Sequence, residues 1–113
     1  MENVLFEKKG NIAIVTINRP KALNALNSAV LKDLAEAFTM VEEDESIHVA
    51  ILTGAGDKSF VAGADIGEML QFSAIEGKRF GDLGNKVFLM IENCTKPFIA
   101  AINGFALGGG CEI

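Results

Sequence analysis

The chain has 113 residues, half of them apolar and 22 % charged, with a formal net charge of −5. That composition suits one folded domain, and the acidic balance argues against a nucleic-acid partner. No apolar run approaches the ~20 residues that span a bilayer, and the start, with Glu2 and Glu7 and no apolar core, does not read as a secretory leader. A cytoplasmic protein with no membrane partner is expected.

Residues 4–8 read as a strand, Lys9-Gly10-Asn11 as a turn and residues 12–17 as a second strand, apolar on both faces, so a β-hairpin is predicted. Pro20 stops that strand, and a loop runs on to Leu26. Asn27 or Ser28 can cap a helix over about 28–44, whose stripe is Leu31, Leu34, Ala35, Phe38 and Val41. The acidic run from Glu42 to Glu45 opposes that helix's dipole and reads as a solvated face. A third strand is predicted over 47–53. Asp65 can cap a short helix to about Gln71, and a longer helix follows over about 75–92 with Phe80, Leu83, Val87, Phe88 and Ile91 on its buried stripe. Gly81 and Gly84 weaken that helix by ~1 kcal/mol each, which points to close packing against them. Residues 98–102 form the fourth strand. Strands alternating with helices make this an α/β fold with mostly parallel central strands. A last helix has barely begun at Ile113, so residues 1–113 are expected to be the N-terminal part of a single domain whose C-terminal remainder is absent.

Two glycine loops invite a chemical reading. Gly54-Ala55-Gly56-Asp57-Lys58-Ser59 matches neither a phosphate-binding loop, because Asp57 parts Gly56 from Lys58, nor a dinucleotide fingerprint, which needs a third glycine opening a helix. It reads as a surface loop. Gly108-Gly109-Gly110 follows a strand and opens a segment ending in Glu112. Bare backbone lets a ligand atom approach a main-chain N–H, and the first N–H groups of a helix lack partners. Such donors favour negative charge developing on oxygen, and Glu112, three residues after Gly109, falls on the same helical face. On these residues alone a close-packed turn followed by a surface acid is the plainer reading. Gly63-Ala64-Asp65-Ile66 has the same logic in weaker form. Cys94 and Cys111 have neither metal nor redox spacing and read as reduced thiols. His48 stands alone, so no metal site is expected.

Three segments together resemble the crotonase, or enoyl-CoA hydratase/isomerase, superfamily, in its order and at its spacing. They are Ile17-Asn18-Arg19-Pro20-Lys21-Ala22-Leu23-Asn24-Ala25-Leu26, then Ser59-Phe60-Val61-Ala62-Gly63-Ala64-Asp65-Ile66, then Lys96-Pro97-Phe98-Ile99-Ala100-Ala101-Ile102-Asn103-Gly104-Phe105-Ala106-Leu107-Gly108-Gly109-Gly110-Cys111-Glu112. The resemblance is closest to bacterial short-chain enoyl-CoA hydratases. It implies a crotonase-like (ClpP/crotonase) spiral of β-β-α units, truncated here. It implies an oxyanion hole from the N–H groups of Ala64 and Gly109, with Glu112 as the first of two catalytic glutamates, the second lying beyond Ile113. Lys21, Ala22 and Leu23 would lie along the CoA moiety, Lys21 suited to a phosphate, and Ala62, Gly63, Asp65 and Ile66 would line the adenine side and its surroundings. Residues 66–72 would either wall the acyl tail, with Met69 and Leu70 against it, or pack in the core. The implied reaction is reversible addition of water to crotonyl-CoA, giving 3-hydroxyacyl-CoA, in fatty acid metabolism. No separate cofactor is needed, because coenzyme A arrives as part of the substrate. Full-length members form trimers that pair into hexamers. The alternatives are another acyl-CoA enzyme of the superfamily, such as an isomerase, or an incomplete fragment acting as a folded binding module. The 113-residue piece alone is expected to be inactive and to associate through open edges.

Overall fold

The computed structural model describes residues 1–108, 110 and 113. Strands β1 (Val4–Lys9) and β2 (Ile12–Ile17) form the hairpin, pairing antiparallel from Val4 opposite Ile17 to Lys9 opposite Ile12. Two parallel strands extend the sheet, β3 (Val49–Gly54) beside β2 and β5 (Phe98–Ala101) beside β3, in the order β1-β2-β3-β5. His48 falls just before β3 rather than within a strand, and its N–H donates to the Asn11 carbonyl.

Helix α1 (Ser28–Glu43) covers one face of this sheet. Asn27 caps it through its side-chain oxygen, which accepts from Val30 N at 2.8 Å. Its buried residues Val30, Leu31, Leu34, Ala37, Phe38 and Val41 meet Ala13, Val15, Ile17, Ala50 and Leu52 from the sheet. Every second residue of β2 and β3 points to that side, so strand alternation and helix period agree on one core. Phe38 packs edge-on against Phe98, with ring centroids 5.2 Å apart.

The short helix α2 (Ile66–Met69) stops before the predicted Gln71. Its hydrogen bonds tighten at once to a three-residue spacing, Gln71 N to Glu68 O and Phe72 N to Met69 O, and Ser73 then opens a new helix. That helix, α3 (Ala74–Asn93), begins with a complete capping box between Ser73 and Glu76. Only Val87 of its stripe is fully buried; Phe80, Leu83, Phe88 and Ile91 pack against the core while partly open.

Two short strands lie in a second ladder that no sequence pattern announced: β4 (Ser59–Val61) runs parallel to β6 (Phe105–Ala106). The acidic end of α1 is more than a solvated face. Lys96 Nζ donates to the carbonyls of Val41, Glu42 and Asp44, offsetting the dipole, and the Glu42 carboxylate accepts from Thr95 N at 3.1 Å and from Cys94 Sγ at 2.9 Å.

Candidate functional site

The loop after β2 makes a 3-10 turn over Pro20–Ala22 and then places Leu23 (φ 52°) and Asn24 (φ 56°) in the left-handed region. Left-handed backbone is costly for Leu23, less so for Asn24, and the surroundings over-determine it. Buried Asn24 accepts from Arg19 N at 2.9 Å and donates to Ala55 O at 3.1 Å and Ser59 O at 2.8 Å. The Leu23 carbonyl accepts from Ala62 N at 3.1 Å and Ser59 Oγ at 2.7 Å. The segment with Lys21, Ala22 and Leu23 is therefore fastened to the one with Ala62, Gly63 and Asp65.

Gly63 changes the direction of the second segment. Its φ of 127° turns the backbone between Ala62, whose N–H faces Leu23, and Asp65, whose N–H donates to Leu26 O at 2.8 Å. Leu26 N in turn donates to Gly63 O at 2.8 Å, making a parallel bridge between Leu26 and Ala64. In such a bridge the middle residue's own N–H points the other way. Among the described residues the Ala64 N–H has no hydrogen-bond partner, and Ala64 is exposed. Ala64 lines a cavity of about 240 Å³ walled by Leu26 and Leu31 on one side and by Phe80, Gly84 and Phe88 of α3 on the other. No residue of 66–72 lines this cavity directly, although Phe72 packs against its Phe80 wall with ring centroids 5.3 Å apart. Ile66 is 71 % and Leu70 82 % exposed, outside it.

The β4–β6 ladder carries Leu107, Gly108 and Gly110 alongside the Val61–Gly63 backbone. Leu107 N donates to Val61 O at 3.0 Å, and a Cβ on Gly108 would lie 3.8 Å from Gly63 Cα. A Cβ on Gly110 would stand 2.2 Å from the Val61 carbonyl oxygen, so only glycine fits there. Gly109, Cys111 and Glu112 lie outside the described residues.

Two residues that the sequence did not single out as site residues stand out around these loops. Arg19 Nη1 donates both to Ala25 O at 2.9 Å and to Asp65 Oδ2 at 3.0 Å. That guanidinium, followed by the Glu68 N–H, holds the Asp65 carboxyl below its usual range. Only its place in the Asn18-Arg19-Pro20 motif singled Arg19 out. Lys58, assigned to a plain surface loop, shares with Lys21 a hollow of about 350 Å³ that Asp57 also lines. Two lysines on one concavity can hold a phosphate as point charges, a convergence visible only once the loops are folded together. Among the described residues no cluster of side chains could hold a metal ion.

The enoyl-CoA hydratase/isomerase family matches residues 7–113. The short-chain-enoyl-CoA hydratase of Clostridium acetobutylicum is 61 % identical over 113 residues, covering the whole of this chain and 43 % of the relative. The crotonyl-CoA hydratase of Syntrophomonas wolfei is 55 % identical over 112 residues, 99 % of this chain and 43 % of that protein. The crystal structure of an enoyl-CoA hydratase from Bacillus anthracis superposes with a TM-score of 0.94 at 35 % identity, over 97 % of this chain and 43 % of the other. The chain thus spans 43 % of the length of the two curated relatives. The match from Glu7 to Ile113 and the superposed fold agree: the chain belongs to the enoyl-CoA hydratase/isomerase family.

Proposed function

We propose that the whole protein is a short-chain enoyl-CoA hydratase, adding water reversibly to 2-enoyl thioesters such as crotonyl-CoA. The observation that carries this reading is the Ala64 N–H, turned away from Leu26 and without a partner among the described residues, on a residue that lines an apolar cavity. Addition of water at the β-carbon moves negative charge onto the thioester oxygen. A donor fixed in advance at that oxygen stabilises the enolate, and one such donor is typically worth ~3–4 kcal/mol. Ala64 is assigned as one donor and Gly109, by its motif, as the other.

Glu112 is assigned, also by motif, to position the water and take its proton, while a carboxylic acid protonates the α-carbon. Lys21 and Lys58 are assigned to the phosphates of the CoA moiety, and the backbone around Ala22, Leu23, Ala62 and Gly63 to its length. Substrate carries the coenzyme, so no separate cofactor enters the scheme.

The test is disappearance of the enoyl absorbance of crotonyl-CoA with the full-length protein, with 3-hydroxybutanoyl-CoA identified as product. Glu112→Gln is expected to lower kcat by about 10²–10⁴-fold. A double-bond isomer as product would move the assignment to an isomerase. No turnover, or an undiminished rate in Glu112→Gln, would overturn the hydratase reading.

A further inference from the structure

Gly81 and Gly84 both line the cavity at Ala64, and their spacing sets them on one face of α3. Close packing does not explain them. Among the described residues, a Cβ on Gly81 would meet nothing within 4 Å, and one on Gly84 would meet only Leu31 Cδ1 at 3.9 Å, an ordinary contact. Backbone conformation does not explain them either, since neither has a positive φ. Gly110 differs, because packed backbone leaves no room for a side chain there. What the two helical glycines leave open, among the described residues, is volume between Leu31 and Phe80 and Phe88 in the cavity that Ala64 also lines.

We propose that Gly81 and Gly84 set how long an acyl tail the site accepts. The inference rests on the hydratase reading of the Ala64 site. With the thioester oxygen at the Ala64 N–H, the tail enters this cavity and its distal carbons lie against the bare backbone of α3. Side chains at 81 or 84 would occupy the space those carbons need. An apolar wall of this kind discriminates by size alone, at about 10–200-fold for one methylene too many.

The experiment compares kcat/KM for 2-butenoyl-, 2-hexenoyl- and 2-octenoyl-CoA in the full-length protein and in Gly81→Leu and Gly84→Leu. Either substitution is expected to lower hexenoyl and octenoyl turnover at least about tenfold further than butenoyl turnover. An equal fall at all three lengths, or unchanged ratios, would overturn the proposal. Gly81→Ala and Gly84→Ala favour the helix and guard against misfolding; they should move the ratios the same way by less, and no movement in folded Ala variants counts against the proposal. If the unsubstituted protein hydrates none of the three, the hydratase reading fails separately. Tail fit is then read from calorimetric binding of butanoyl-, hexanoyl- and octanoyl-CoA. A chain-length dependence that the leucine variants abolish supports the role of the glycines, and its absence from the unsubstituted protein defeats it.

Discussion

Arg19 holds two loops with one nitrogen. Its Nη1 bonds Ala25 O on the Lys21 side and Asp65 Oδ2 on the Ala64 side, while Asp65 also caps α2 through Oδ1 and Glu68 N. Ala64 sits between these anchors, so on the proposed hydratase reading Arg19 is assigned as a positioning residue for its N–H. Arg19→Gln is expected to lower kcat by about 10–100-fold, part of what losing an oxyanion donor costs, with KM changing less. The ion pair is partly exposed, so the loss of stability should be no more than about 1 kcal/mol. The pH dependence has a definite sign. Asp65 has a lowered pKa in the folded state, so its contribution is complete above the unfolded value near 3.8 and is lost as pH falls through the folded value. Without Arg19 the carboxyl should titrate closer to its ordinary value, and an NMR titration of the Asp65 side chain reads this directly. An unchanged titration with unchanged kcat would remove Arg19 from the site.

At the scale of elements, Lys96 draws the end of α1 and the entry to β5 together through three carbonyls. Lys96→Met keeps the aliphatic stem and removes those bonds, leaving the acidic end of α1 against an uncompensated dipole. A cost of about 1–2 kcal/mol is expected, seen as a lower urea midpoint with unchanged slope; an unchanged midpoint would make the clasp incidental. This contact was illegible in the sequence because its partners stand more than 50 residues apart. The longer elements were legible for the opposite reason. The period of α1, the cap at Asn27 and the turn at Gly10 are local, and the structure keeps each within one or two residues of its expected place. Strands β4 and β6 were not, since three and two residues show no alternation and exist only by pairing with each other. The glycines of α3 misled for a related reason: a missing side chain marks either a close neighbour or an empty space, and only the fold distinguishes them.

At the largest scale, among the described residues the sheet is covered on one face and open on the other. Helix α1 buries Ala13, Val15, Ala50 and Leu52, while the register lines up Ile14, Ile51 and Ile99 on the opposite face, with Leu5 and Ile12 beside them. Parallel strands normally have both faces covered. Strand β5 is also the sheet's edge, exposed beyond Phe98, and Ile99, Ile102, Phe105 and Leu107 are each more than half exposed. An apolar face next to an unpaired strand edge favours association. The 113-residue polypeptide prepared by itself is therefore expected to elute above monomer size, with a position that depends on concentration. Ile99→Lys places a charge on the open edge without touching the α1 core. It should shift the elution toward monomer while far-UV circular dichroism stays the same. A monodisperse monomer for the unsubstituted polypeptide at micromolar concentrations would show that the open face is tolerated in water. Association unchanged by Ile99→Lys would place the contact elsewhere, at the exposed Ile66 and Leu70 of the α2 segment, where the same substitution could then be tried.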